Sequence, residues 1–153
     1  MTSQVKAVLD AYHQRIEQER QQRANATQPL GDDWRDNALL AVGPETGQLI
    51  NILAKSLNKP NIVEIGTSFG YSGIWLADAA RASGGRVTTL ELKQHKSDYA
   101  KAQANKAGLA EYVDFKVGDA LQLLDEIDFG IDFVLLDLGR IYISRRCSVF
   151  IPS

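Results

Sequence analysis

The sequence predicts an α/β protein built on an open parallel sheet with helices on both faces. Two observations carry this expectation. Residues 61–136 alternate short Val/Ile/Leu-rich runs with segments of helix length, the pattern of right-handed βαβ units. The first of these runs leads into Val63-Glu64-Ile65-Gly66-Thr67-Ser68-Phe69-Gly70-Tyr71-Ser72-Gly73, which reads as a strand ending near an acid, a glycine-rich turn and a helix start. In an open α/β sheet such a turn lies at the carboxyl ends of the strands, where small molecules bind. A third observation qualifies the first two: the alternation stops soon after the fourth strand.

The 153 residues suit a single domain, 1–153, divided into N-terminal helices (1–60), a β/α core (61–138) and an atypical tail (139–153). A net charge of −2 gives no reason to expect nucleic acid or an anionic membrane as partner. The one cysteine, Cys147, excludes an intrachain disulfide and fits a reducing compartment. The N-terminus has no long apolar core of the kind a signal peptide needs, and no apolar run approaches the roughly 20 residues that span a bilayer. A soluble, cytoplasmic protein is expected.

The elements follow in order. Val5, Val8, Leu9, Tyr12 and Ile16 recur at helical spacing and predict an amphipathic first helix. The charged stretch 17–23 extends it as an exposed face, and residues 28–33 form a loop. Leu49, Ile50, Leu53 and Leu57 mark a second helix, with Pro44 and Glu45 in its first turn. There a missing N–H is harmless and an acid meets the positive end of the dipole. Beyond Lys59-Pro60 the strands are 61–65, 86–92, 112–117 and 131–136. The helices between them are 71–82, 97–107 and 119–126; Ser83-Gly84-Gly85, small enough to permit a left-handed cap, ends the first, and Gly108 closes the second. The tail carries Arg140, Arg145 and Arg146 without an acid, and shows neither a helix nor a clean fifth strand. It reads as an irregular or strand-like tail, with a basic interaction segment as the alternative.

Three places on this layout carry chemistry. A dinucleotide fingerprint needs G-x-G-x-x-G, its second glycine admitting the pyrophosphate. Here Ser68 stands at that second place, so the turn suits a ligand without phosphates. Glu64 would set a carboxylate near the loop, favouring a cationic or ammonium-bearing ligand and repelling a diphosphate. Glu91, about twenty residues beyond the turn, sits where an acid accepts hydrogen bonds from ribose hydroxyls. A strand-end carboxylate facing water is its plainer alternative. Asp119, in Gly118-Asp119-Ala120, is a helix cap that can also face an adenine.

These features resemble the class I S-adenosylmethionine-dependent methyltransferases, and among them the catechol O-methyltransferase-like small-molecule O-methyltransferases (methyltransferase family 3). The resemblance rests on Glu64-Ile65-Gly66-Thr67-Ser68-Phe69-Gly70-Tyr71-Ser72. Upstream Val42-Gly43-Pro44-Glu45-Thr46-Gly47 and downstream Thr89-Leu90-Glu91, Gly118-Asp119-Ala120 and Asp132-Phe133-Val134-Leu135-Leu136-Asp137 fall in the family's order, so it covers residues 36–138. It implies a Rossmann-like methyltransferase sheet and S-adenosylmethionine as cofactor. Val42, Glu64, Gly66, Thr67, Gly70 and Ser72 would lie about the methionine part, Glu91 at the ribose, and Asp119 and Ala120 at the adenine. Asp137 would border the cofactor and match the family's first metal ligand, which implies Mg²⁺; a plain strand-end acid is the other reading. The implied reaction moves a methyl group to the hydroxyl of a small phenolic or catechol-like acceptor, and the resemblance also implies a homodimer.

The sequence departs from the family after the fourth strand. The family's Asp-Asn pair of further metal ligands has no counterpart. Arg140 stands where the family has a candidate lysine base, and arginine stays protonated at ordinary pH. No catalytic residue is assigned. The expectation is a chain truncated after strand four, whose edge would then be bare unless Ile141-Tyr142-Ile143 covers it. A cofactor-binding homologue that transfers nothing is therefore the alternative to an active enzyme. A nicotinamide dehydrogenase is disfavoured by Ser68 and Glu64. His13 and His95 read as surface histidines, Cys147 lacks an identifiable base, and Trp34 and Trp75 read as packing residues.

Overall fold

A computed structural model describes residues 1–138 of the chain. The readings made for Arg140, Ile141-Tyr142-Ile143, Cys147 and the rest of the tail lie outside the described residues. Four parallel strands, β1 (Asn61–Ile65), β2 (Arg86–Glu91), β3 (Val113–Val117) and β4 (Phe133–Leu136), form one sheet in the order β3-β2-β1-β4. The helices are α1 (Ser3–Asn25), α2 (Asp32–Asn37), α3 (Pro44–Lys55), α4 (Tyr71–Ser83), α5 (Gln94–Lys106) and α6 (Ala120–Asp125). A 3₁₀ turn, Ala110–Tyr112, leads into β3.

Alternation along β1 divides the core between the two faces of the sheet. Ile62 joins Val87 and the apolar residues of α1, α3 and α4 on one face, while Val63 and Ile65 join Leu90, Leu123 and Leu124 on the other. The chain is therefore the predicted α/β sheet with helices on both faces. Val5, Val8, Leu9 and Tyr12 of α1 are buried as its spacing requires, and the charged stretch extends this helix to Asn25. Gly84, with φ of 74°, caps α4 in the left-handed conformation expected of it.

Several expectations are corrected. Asp32 and Asp33, expected in the loop 28–33, instead open a short helix, Asp32–Asn37. Both acids suit its first turn, but it buries no residue and so leaves no periodic signal. Helix α5 begins at Gln94, earlier than 97; its N-cap, Lys93, makes no side-chain capping bond and so marks no start in the sequence. Leu92 falls outside β2 and is exposed. In α3, Leu49 and Leu53 are exposed and only Ile50 of the expected stripe is buried. The buried face of that helix is Gly47, Ile50, Asn51 and Ala54. Its contact with α4 is polar and close: Asn51 Nδ2 donates to the Trp75 carbonyl at 2.7 Å, and Lys55 Nζ pairs with buried Asp78 at 2.8 Å. His13 is half-buried rather than on the surface, its Nε2 2.9 Å from the Tyr71 hydroxyl. His95 is exposed, though inside the first turn of α5. Trp75 is buried, as expected of a packing residue.

β4 pairs with β1 and has no other strand beside it among the described residues; on its face, Val134 and Leu136 are exposed. No helix of the described residues is long and apolar enough to cross a membrane.

Candidate active site

The glycine turn is built by backbone bonds that bring three strand ends together. Gly66 N–H and Thr67 N–H both donate to the Leu90 carbonyl of β2, and Asp137 N–H donates to the Ile65 carbonyl. Gly66 has φ of 100°, and a Cβ there would overlap the Asp137 carbonyl, so only glycine lets β1 and β4 close to this distance. Gly70, φ 89°, is the N-cap of α4, and a Cβ there would press on Ala100 of α5. Ser68 itself takes φ of 48°, the left-handed region that a glycine would favour. Tyr12 of α1 reaches the turn from outside, its hydroxyl donating to the Phe69 carbonyl at 2.5 Å.

Along the carboxyl ends of the strands runs a cleft of about 420 Å³, within the usual range for small-molecule sites. It begins at Gly66 and Asp137, passes Glu91, and ends at Asp119 and Ala120. Its walls are mostly apolar, with Ile65, Leu90 and Leu124 among them. Glu91 Oε2 accepts from Ser68 N–H at 2.7 Å and Oε1 from Lys93 N–H at 3.0 Å. Each oxygen keeps a second lone pair, which is what a vicinal diol requires. Asp119 Oδ1 caps α6, accepting from Leu121 N–H at 3.0 Å. A small recess adjoins the cleft, lined by Val42, Thr67, Ser72 and, again, Asp137.

Eight of the ten residues singled out in the sequence thus line one of two adjoining spaces. Glu64 and Gly70 line neither. Gly70 shapes the turn, and Glu64 lies fully buried beneath it. The Ser72 hydroxyl donates to Glu64 Oε1 at 2.5 Å and the Thr89 hydroxyl to Oε2 at 2.6 Å, with Thr67 Oγ1 2.5 Å behind Thr89. Burial raises the Glu64 carboxyl to about pKa 7, against the opposing pull of those two hydroxyl bonds. Glu64 therefore sits beneath the turn, tied to Ser72 and Thr89, rather than in the wall of either space. Sequence reasoning missed Arg35, Asp36 and Leu40, which line the cleft from α2 and the segment after it. The short helix that presents Arg35 and Asp36 left no signal in the sequence.

The described residues do not by themselves complete a metal site. Among the described residues no three His, Cys, Asp or Glu side chains converge. Asp137 alone supplies one carboxylate, whereas Mg²⁺ asks for near-octahedral oxygen coordination.

Comparison with known proteins agrees with this layout. The O-methyltransferase family, Methyltransf_3, matches residues 23–143. A catechol O-methyltransferase of Mycobacterium tuberculosis is 36% identical over 102 residues, covering 66% of this chain and 46% of that protein. The O-methyltransferase TomG of Streptomyces achromogenes, solved in complex with SAM, superposes with a TM-score of 0.66 at 29% identity, covering 94% of this chain and 56% of TomG. An O-methyltransferase of Bacillus cereus, solved in complex with SAH, gives 0.58 at 32% identity, covering 90% of this chain and 55% of its own. The chain spans less than half the length of the curated relatives it matches. With four-fifths of its length matched by the family model, the chain belongs to the O-methyltransferases.

Proposed function

We propose that the cleft binds S-adenosylmethionine and that the protein to which this chain belongs methylates a hydroxyl of a small molecule, of the phenolic or catechol type. The observation that carries this reading is the run of one cleft from Gly66 and Asp137, past the Glu91 carboxylate, to Asp119 and Ala120. A thioether or sulfonium, a ribose and an adenine fit that order of close backbone, diol acceptor and apolar slot. Support comes also from the SAM and SAH in the related structures and from the catechol activity named for the mycobacterial relative.

When bound, S-adenosylmethionine supplies an electrophilic methyl group. The chain's own residues do the rest. Glu91 fixes the ribose and Ser68 N–H holds Glu91 in place. Gly66 admits the ligand to the backbone at the β1–β4 junction. Asp137 lines both the cleft and the recess, where the acceptor oxygen would meet the methyl group, so it can orient the acceptor hydroxyl. Alignment of this kind accounts for a large share of the barrier in a bimolecular displacement. Mg²⁺ at Asp137 would require ligands from beyond the described residues, and no step here depends on it.

Calorimetric titration of the 153-residue chain with S-adenosylhomocysteine tests this reading. Saturable binding is expected, weakened at least a hundredfold in Glu91→Ala, with no binding of NAD. Transfer of labelled methyl from S-adenosylmethionine to a panel of phenols then separates an enzyme from a cofactor-binding homologue. A folded chain that ignores S-adenosylhomocysteine sinks the proposal.

A further inference from the structure

The segment from Arg35 to Leu40 borders the cleft as a strap, and Arg35, Asp36 and Leu40 are part of its lining. Two latches hold it. On one side Asp36 Oδ2 pairs with Lys93 Nζ at 2.7 Å, tying the segment to the loop just beyond Glu91. On the other, α1 grips its backbone. The Glu19 carboxylate accepts from Leu39 N–H through both oxygens, at 2.9 and 3.0 Å. Arg15 Nε donates to Glu19 at 3.2 Å, and its NH2 group donates to the Asn37 carbonyl at 2.5 Å. The same guanidinium stacks over the ring of Phe69 in the glycine turn, 4.7 Å from its centroid. One side-chain pair therefore touches the helix, the strap and the turn.

The grip has a directional consequence. Leu39 is buried, whereas Leu40 is half-exposed with φ of 47°, a left-handed conformation that a leucine adopts only when held there. Fixing Asn37 C=O and Leu39 N–H from α1 turns the next side chain out of the core and toward the cleft. A pair serving only to dock α1 would need no contact with the strap, since Tyr12 and the apolar face of α1 already bury that helix.

Resting on the reading of the cleft as the cofactor site, we infer that Arg15 and Glu19 are positioning residues for cofactor binding: they set the Leu40 strap along the cleft and register it with the glycine turn. They touch no ligand. Their effect passes through Leu39–Leu40 and Phe69.

The test compares the full 153-residue chain with Glu19→Ala, Glu19→Gln and Leu40→Gly. It reads S-adenosylhomocysteine affinity, melting temperature and hydrogen exchange at the Leu39 amide. Glu19→Ala is expected to weaken binding about tenfold, the scale of a lost charge-assisted hydrogen bond, and to release Leu39 protection. Glu19→Gln keeps an acceptor for Leu39 N–H and is expected to restore most of both. Leu40→Gly tolerates the left-handed backbone, so it should weaken binding while Leu39 stays protected. Unchanged affinity in Glu19→Ala with Leu39 deprotected overturns the inference and leaves the cofactor reading standing. Failure of the unsubstituted chain to bind overturns both. If Glu19→Ala does not fold, Leu40→Gly decides: full affinity there overturns the strap's role.

Discussion

Glu64 shows how one buried group sets the pH behaviour of the site. Its carboxyl is fully buried and raised to about 7, while a glutamate in the unfolded chain titrates near 4.5. The folded state thus holds the proton more tightly than the unfolded state. The stabilisation from the protonated carboxyl is complete below pH 4.5 and is lost as pH rises through 7, a total on the order of 3 kcal/mol. Glu64→Gln should abolish that slope, since one hydroxyl can donate to the amide oxygen and the other can accept from its nitrogen. Thermal melts of the ligand-free chain from pH 4 to 9 will show it: a falling curve for the parent, a flatter one for the variant. Parallel curves would refute the assignment. The composition of the turn was legible in the sequence because Gly66 and Gly70 answer a backbone demand that only glycine meets cheaply. That Glu64 lies under the turn was not, because a glutamate near a strand end can face a ligand or be buried against neighbouring hydroxyls equally well.

Between elements, the α3–α4 contact is made by small and polar residues. Gly47 lies against the Trp75 indole, and a Cβ would overlap its nitrogen. Gly47→Ala is therefore expected to cost about 1–3 kcal/mol by overpacking, measured by urea unfolding. Asp78, buried between Lys55 at 2.8 Å and Arg81 at 2.6 Å, belongs to the same contact. Its loss should cost about 2 kcal/mol, less than for a sealed ion pair, because both cations can turn to water. A change under about 0.5 kcal/mol in either variant would show that the contact is not as described. The sequence showed α3 as an element but gave its burial wrongly, since hydrophobic spacing cannot register a face made of Gly47, Asn51 and Ala54. The strap was invisible for a related reason. Glu19 binds a backbone amide, which imposes no residue type at position 39, and six residues of α2 are too few for a period.

At the scale of the molecule, a ligand that binds the folded cleft must stabilise the whole chain. S-adenosylhomocysteine at a hundredfold excess over its Kd contributes about 2.7 kcal/mol, which for a chain of this size is roughly 5–10 °C in melting temperature. Scanning calorimetry with and without the ligand measures it, and an unmoved transition would contradict the cofactor reading. The order of strands adds a consequence in time. β1 is flanked by β2 on one side and β4 on the other, and the cleft floor takes Gly66 from one end of the core and Asp137 from the other. During synthesis the three-stranded part can assemble once Val117 has emerged, yet the pocket has no fourth wall until Leu136 follows. At ordinary elongation rates that interval is roughly 1–4 s. For that span the nascent chain has a sheet whose β1 edge is open and no competent pocket, so a ligand of the cleft cannot guide folding until β4 docks.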